Sequence, residues 1–136
     1  MATPCELCVS DGGEVVARDE RLRIVLVNDA AYPGFCRVIW NAHVREMSDL
    51  SAADRAYMFE TVMHVERAIR EVLAPDKINL ASLGNVVPHL HWHVIPRWRD
   101  DAHFPQPIWA AASRPGARPG VTDEALARLR AALTRR

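Results

Sequence analysis

Histidine occupies every second position from 89 to 93 in the segment 85–98, which reads NVVPHLHWHVIPRW. Successive side chains of a β-strand point to opposite faces, so this spacing predicts a strand with three imidazoles on one face. The apolar residues between them then face a core, and Pro96 is expected to end the strand. Three imidazoles on one face are costly to bury as packing alone, so we expect this strand to carry the chemistry. The histidines are His89, His91 and His93, and the interleaved residues are Leu90, Trp92 and Val94.

The remaining elements read as strands before and after one long helix. Turn signals at 11–13, 28–29 and 33–34 separate β-rich segments, and a further segment precedes the histidine run. Strands, a long helix and then strands predict an α+β fold with a mainly antiparallel sheet of about five strands. The predicted strands are 14–17, 21–27, 35–40, 77–83 and the histidine run itself.

Two helices are predicted from their caps and apolar spacing. Ser51, with Asp54 three residues later, begins a long helix whose apolar stripe ends before Pro75. His64 lies one residue off that stripe, so we expect it at the flank or surface. Thr122 caps a C-terminal helix with leucines on one face.

Composition limits the kind of partner and compartment. In 136 residues, 17 Lys plus Arg balance 17 Asp plus Glu, so no basic field indicates nucleic acid or a membrane surface. Glu6 and Asp11 fall where a signal peptide needs an apolar core, and no apolar run is long enough to span a membrane. We therefore expect a cytoplasmic protein in which residues 1–136 form one domain.

Cys5 and Cys8 form a C-x-x-C pair. A disulfide framework is not expected in a reducing compartment, where this spacing indicates metal or redox chemistry. Cys36 lies in an apolar run and is expected to be a buried small residue.

The histidine run has three interpretations. The histidines can be incidental to a strand, although three on one face require a reason. Two of them can share a catalytic metal, but further ligands are then needed, and only Asp100, Asp101 and His103 follow closely. Alternatively, a neutral imidazole attacks phosphorus and a neighbouring imidazole donates to the phosphate oxygens.

The run and the segment before it, Gly84-Asn85-Val86-Val87, resemble the signature of the histidine triad (HIT) nucleotide-binding family. The segment 32–39, reading YPGFCRVI after Val27-Asn28, resembles the strand–turn–strand that holds the nucleoside in that family. The resemblance covers residues 5–98 and leaves 99–136 as a C-terminal extension with a helix. It implies a HIT-like fold, a homodimer whose sheets join edge to edge, and cleavage or transfer of nucleoside 5′-monophosphates.

Transferred by position, the resemblance gives roles to individual residues. His91 becomes the nucleophile that forms a covalent nucleotidyl-histidine, and His93 donates to the phosphate or the bridging atom. Asn28 matches a ribose contact, Asn79 matches a polar residue that reaches the phosphate, and Asn85 stands where the family has Gln. The implied substrate is a phosphoramidate or a dinucleoside polyphosphate, with a purine nucleoside expected, and no organic cofactor is implied.

Two positions depart from the family pattern. Phe35 stands where a histidine commonly supports the nucleophile, and Val86 stands where Ser or Thr can donate to the leaving group. Both leave the nucleophile in place, but they motivate an alternative, a nucleotide- or zinc-binding regulatory protein with little turnover.

The C-x-x-C also resembles that of zinc-bearing members of the family. There the two cysteines combine with a histidine after the second core strand and with the first histidine of the triad. The implied ligands are Cys5, Cys8, His43 and His89. Four protein ligands leave no open position, so the implied zinc is structural.

Overall fold

The structure, a computed structural model, describes residues 4–116 and 119–135. Within them, five strands form one antiparallel sheet in the order β1-β2-β3-β5-β4. The strands are β1 (Glu14–Arg18), β2 (Leu22–Leu26), β3 (Cys36–Trp40), β4 (Lys77–Ala81) and β5 (His91–Arg97). The helices are α1 (Glu6–Val9), α2 (Ala52–Leu73) and α3 (Asp123–Thr134), with a 3₁₀ turn at Met47–Asp49. The predicted α+β fold, with its five-stranded antiparallel sheet, long helix and C-terminal helix, is confirmed.

The two longer helices begin where their caps predict. Ser51 Oγ accepts a hydrogen bond from the Asp54 backbone N–H at 3.2 Å, and Thr122 Oγ1 accepts from Ala125 N–H at 3.0 Å. Ala74 ends α2 in the left-handed conformation, one residue before Pro75. His64 lies at the flank of α2, where its Nε2 is 3.0 Å from the carbonyl oxygen of Leu133. No described helix is both long and apolar enough to cross a membrane.

One face of the sheet packs on α2 and α3 and forms the main core. Side chains at alternate strand positions meet the apolar stripe of α2 and the leucines of α3. Leu90 and Val94 are buried in this core as predicted, whereas Trp92 is partly exposed and its ring lies 5.4 Å from that of Phe59. The opposite face carries a smaller apolar cluster formed by Leu7, Val25 and Ile39. The fully buried members of the core include Ile24, Val38, Met58, Val62, Val65, Ile69 and Leu129.

Strand β5 differs from the prediction at both ends. It begins at His91, because β3 ends at Trp40 and the last pair of the β3–β5 register joins Ile39 to His91. His89 therefore precedes the strand instead of belonging to it. Pro96 lies inside the strand, because beyond Val94 only β4 pairs with β5, and a strand with one neighbour tolerates a residue without an N–H. The other predicted strands differ at their ends by one or two residues.

The segment after β5 is held by a buried ion pair between Arg97 and Asp101. The two side chains are each 2% exposed, and Nε and Nη2 of Arg97 donate to the carboxylate at 2.9 and 3.0 Å. The same carboxylate accepts from the backbone N–H groups of Trp98, His103 and Phe104 at 3.1, 3.0 and 2.8 Å. One acidic side chain thus fixes the turn that leads the extension back over the sheet.

Replacing Asp101 by Asn is expected to destabilise the fold by about 3–5 kcal/mol at neutral pH, because Arg97 keeps a buried charge without its partner. Burial alone raises the pKa of Asp101, but the hydrogen bonds from Arg97 and the backbone outweigh it and hold that pKa below its usual range. The carboxylate therefore stabilises the fold above its unfolded-state pKa of about 3.9, and this stabilisation is lost as the pH falls through the lower folded-state pKa. Urea unfolding at pH 7 measures the cost of the substitution, and its repetition between pH 4 and pH 2 follows the decline of the carboxylate's contribution.

A partly exposed ion pair on α2 supplies the matched control for this substitution. Glu66 and Arg70 approach to 3.6 Å with the arginine 67% exposed, so Glu66→Gln is expected to cost less than about 1 kcal/mol. Equal stability of Asp101→Asn and the wild type at pH 7 would contradict the role given to the buried pair.

Candidate functional site

His91 and His93 lie side by side on the face of the sheet turned away from α2. Strand β5 is flanked by β3 and β4, and its register places His91 opposite Ile39 and His93 opposite Arg37. Their rings are 4.8 Å apart at an interplanar angle of 84°, and the residues are 8% and 6% exposed. The alternation predicted from the sequence thus brings these two imidazoles together.

The backbone determines which nitrogen of His91 carries a proton. Nδ1 lies 2.5 Å from the carbonyl oxygen of His89, which can only accept, so Nδ1–H is the donor and Nε2 keeps a free lone pair in the neutral ring. Burial lowers the pKa of His91, and the charge of Arg37 acts in the same direction. The ring is therefore neutral near pH 7, the protonation state that a nitrogen nucleophile needs.

His93 is a neutral imidazole held by aromatic rings. Burial lowers its pKa to about 3, with contributions from His91 and Arg37. Phe35 and Trp109 contact it edge-on, at centroid distances of 5.7 and 5.0 Å. Its Nδ1 is buried and has no hydrogen-bond partner in the described part of the chain, so this ring retains hydrogen-bonding capacity for a ligand.

A cavity of about 410 Å³ opens in front of the two rings, and we call it the histidine cavity. Asn85 lines it together with the neighbouring residues 83–87, so the structure brings this predicted substrate contact to His91 and His93. The other walls are formed by Glu6, Leu7, Arg37 and Trp109.

The other two predicted substrate contacts lie outside the histidine cavity. Asn28 follows β2 at a φ of 59°, where its amide donates to Glu14 Oε1 at 3.3 Å and lines a smaller cavity of about 240 Å³. Asn79 lies on β4 opposite Ile95, and its Oδ1 accepts from Arg97 Nη1 at 2.7 Å. Both side chains already have protein partners.

Four potential metal ligands converge beside the start of β5. The ligand atoms of Cys5, Cys8, His43 and His89 all lie within 4.8 Å of one another. Nδ1 of His89 is 3.4 and 3.5 Å from the two sulfurs, and Nδ1 of His43 is 3.4 Å from Cys8 Sγ. Ligands about 2.0–2.3 Å from a tetrahedral zinc are roughly 3.5 Å apart, so this donor set fits the ion in number, type and spacing.

Local structure prepares these four side chains for a metal. Helix α1, a single turn that the sequence analysis did not predict, begins after Cys5 and places Cys8 above it at i, i+3 spacing. Nε2 of His89 is 2.6 Å from the carbonyl oxygen of Trp40, so Nε2–H donates and Nδ1 is left free to bind. The structure therefore brings together the complete ligand set that the sequence implied.

In the described part of the chain, no group of metal-ligating side chains supports the interpretation that His91 and His93 bind a catalytic metal. The group of metal-ligating side chains found among residues 4–116 and 119–135 contains neither His91 nor His93. Asp101 is committed to Arg97, and Nδ1 of His103 is 2.5 Å from Tyr32 Oη.

Arg37 and Trp109 line the histidine cavity but were not assigned to a site from the sequence. Trp109 lies in a proline-rich segment without periodicity, so nothing local indicates that it reaches His93. Arg37 is the single charged residue of the strand Cys36–Trp40, and a charge inside an apolar strand was the available signal. Its closeness to His93 depends on the β3–β5 register, which requires the fold.

Comparison with known proteins identifies the family. A family model described as the HIT domain matches residues 11–100. The crystal structure of a histidine triad protein from Bradyrhizobium japonicum superposes with a TM-score of 0.75 at 27% identity, covering 90% of this chain and 92% of that one.

Curated relatives match over a shorter share of their own length. The AP-4-A phosphorylase of Mycobacterium tuberculosis is 33% identical over 98 residues, which are 68% of this chain and 50% of that protein. The asymmetrical bis(5′-nucleosyl)-tetraphosphatase of Schizosaccharomyces pombe is 31% identical over 74 residues, 51% of this chain and 41% of that protein. The chain thus spans about half the length of these relatives or less. Because the HIT-domain match takes in most of the chain and includes His91 and His93, the chain belongs to the histidine triad (HIT) family.

Proposed function

We propose that this protein is a nucleotidyl hydrolase or transferase that removes a nucleoside 5′-monophosphate from a phosphoramidate or a dinucleoside polyphosphate. The observation that carries the proposal is the tautomer of His91. Its Nδ1–H is fixed on the His89 carbonyl at 2.5 Å, which leaves Nε2 unprotonated beside the histidine cavity. The names of the two curated relatives support a dinucleoside polyphosphate as one candidate substrate.

The proposed reaction has two steps at one phosphorus atom. Nε2 of His91 forms an N–P bond with the α-phosphate while the bond to the leaving group breaks, and the leaving group departs with that electron pair. Water or another acceptor then forms a P–O bond as the N–P bond breaks, which restores the imidazole. His93, although neutral, carries one N–H that can donate to a phosphate oxygen or to the bridging atom.

We propose that Cys5, Cys8, His43 and His89 hold a structural zinc. When bound, the ion would cross-link the N-terminal segment to the residue before β5. The metal would then fix the side chain of His89, while the backbone carbonyl of His89 orients His91. His89 would thus connect the zinc site to the proposed nucleophile.

Asn85 offers its amide to the substrate from the wall of the histidine cavity. Asn28 and Asn79 are proposed as ribose and phosphate contacts that would exchange their present bonds to Glu14 and Arg97 for bonds to the substrate. The nucleoside of the substrate is proposed to be a purine nucleoside.

We further propose that the protein is cytoplasmic and that residues 1–136 form one domain. Two copies are proposed to form a homodimer through an edge of the sheet. The edge strand β4 supports this pairing, since β5 is its one neighbour among the described strands and it carries the exposed Leu80. Light scattering that returns a monomer mass at micromolar concentration would contradict the dimer.

Release of nucleoside monophosphate by the purified protein tests the proposal. Adenosine phosphoramidate and diadenosine polyphosphates are supplied in separate single-turnover reactions, and AMP is followed by chromatography. We expect AMP from at least one of these substrates. No AMP from any of them would favour the alternative, a nucleotide- or zinc-binding regulatory protein, for which Phe35 beside His93 and the exposed Val86 are the supporting observations.

A further inference from the structure

Arg37 brings a positive charge to the wall of the histidine cavity. It lies directly opposite His93 in the β3–β5 register, so both side chains project from the sheet face that bears His91. All three residues line the same cavity. An arginine guanidinium stays protonated throughout the physiological pH range, so Arg37 gives this wall a permanent positive charge.

The hydrogen bonds of Arg37 are incomplete compared with those of two arginines on neighbouring strands. Arg23 donates to Leu7 O, Ser10 O, Asp11 O and Asn41 Oδ1 at 2.8 to 3.2 Å. Arg97 likewise donates four hydrogen bonds, to Asp101, Asn79 and Gln106. Protein partners thus take up most of the hydrogen-bonding capacity of both guanidinium groups.

Arg37, by contrast, donates Nη1 to Gly12 O at 2.9 Å, and its Nε is buried with no partner among the described residues. None of the ion pairs formed within residues 4–116 and 119–135 includes it. Glu6, the acidic residue that lines the same cavity, forms none of these ion pairs either. Protein contacts therefore account for only part of this group's bonding capacity.

A partly buried cation with an unpaired donor carries a desolvation cost that an anionic ligand can offset. The planar guanidinium offers donors in a fixed fork that matches two oxygens of a phosphate. The hydrogen bond from Nη1 to Gly12 O holds the guanidinium at the cavity wall. The remaining N–H groups of Arg37 can therefore donate to an anion.

We propose that Arg37 is a phosphate-binding residue of the histidine cavity, taking the phosphoryl group of a nucleoside phosphate opposite His93. The choice of ligand rests on the proposed function. The family resemblance assigns phosphate contacts to histidines and amides, and Arg37 adds to them a charged donor carried by this chain.

Equilibrium binding of AMP and adenosine, measured by titration calorimetry, tests the inference without turnover, since AMP has no leaving group. Arg37→Met keeps side-chain length and removes the charge. We expect this variant to bind AMP about 10- to 100-fold more weakly, the range associated with a charge-assisted hydrogen bond, while adenosine affinity stays within about threefold. Arg37→Lys is expected to recover part of the AMP affinity, because it restores charge without the fork.

Arg70→Met serves as the matched control, since Arg70 is exposed on α2, which packs on the other face of the sheet, and does not line the histidine cavity. Its AMP affinity is expected to equal that of the wild type. Unchanged AMP affinity in Arg37→Met, an equal loss for adenosine, or no AMP binding by the wild type would overturn the inference. Arg37-dependent AMP binding by a protein that releases no nucleotide would leave the inference standing and remove the hydrolase proposal.

Discussion

Replacing His91 by alanine is expected to reduce nucleotide release by at least about 10³-fold, because loss of a covalent nucleophile removes the two-step route altogether. No other imidazole in the described structure has the same arrangement of a donated Nδ1–H and a free Nε2 in the histidine cavity. The measurement is the single-turnover rate with whichever substrate the wild type cleaves.

His64→Ala provides the matched control for this loss. His64 is a partly buried histidine on α2 that contacts the carbonyl of Leu133, outside the cavity, so its removal is expected to leave the rate within about twofold. Thermal melting of both variants separates loss of chemistry from loss of fold. A folded His91→Ala protein that keeps more than a tenth of the wild-type rate would exclude His91 as the nucleophile.

Removal of the proposed zinc is expected to have the second largest effect. Cys8→Ser breaks the four-ligand set, so the metal content should fall from about one zinc per chain to near zero. The free energy of unfolding is expected to drop on the order of 4–5 kcal/mol, since loss of a structural metal belongs to the most destabilising single changes. Activity should fall with it, because His89 contributes both a ligand and the carbonyl that orients His91.

Elemental analysis of protein purified without added metal, followed by urea unfolding, measures both quantities. Cys36→Ala is the matched control, since this third cysteine is fully buried on β3 and its sulfur contacts the Gly34 carbonyl instead of the cysteine–histidine cluster. The control should keep its zinc even if the altered core lowers stability. Wild-type protein with a zinc ratio near zero would refute the four-ligand site.

Short-range chemistry explains which elements were predictable from the sequence. Ser51 and Thr122 start the helices because a side-chain oxygen must accept one of the unpaired N–H groups of the first turn, a rule that acts within three residues. The two-residue spacing of His91 and His93 places them on one face for a similarly local reason. The resemblance to zinc-bearing members of the family implies all four residues of the cysteine–histidine cluster that the structure brings together.

Long-range register explains what the sequence analysis missed. Pro96 was expected to end β5, but the strand continues because only β4 pairs with it there. Arg37 meets His93 through that same register, and Trp109 reaches His93 from a segment with no periodic signal. Asn28 and Asn79 were named by position along the chain, whereas their actual surroundings, Glu14 and Arg97, are set by tertiary packing.

Mass spectrometry of the protein quenched during a single turnover tests the central claim most directly. The quench uses denaturant at alkaline pH, because an N–P bond to imidazole is labile in acid. We predict a mass increase of one nucleoside monophosphoryl group on the peptide that contains His91, present during the reaction and absent from His91→Ala. Nucleotide release with no adduct, or an adduct on a peptide without His91, would contradict the proposed mechanism.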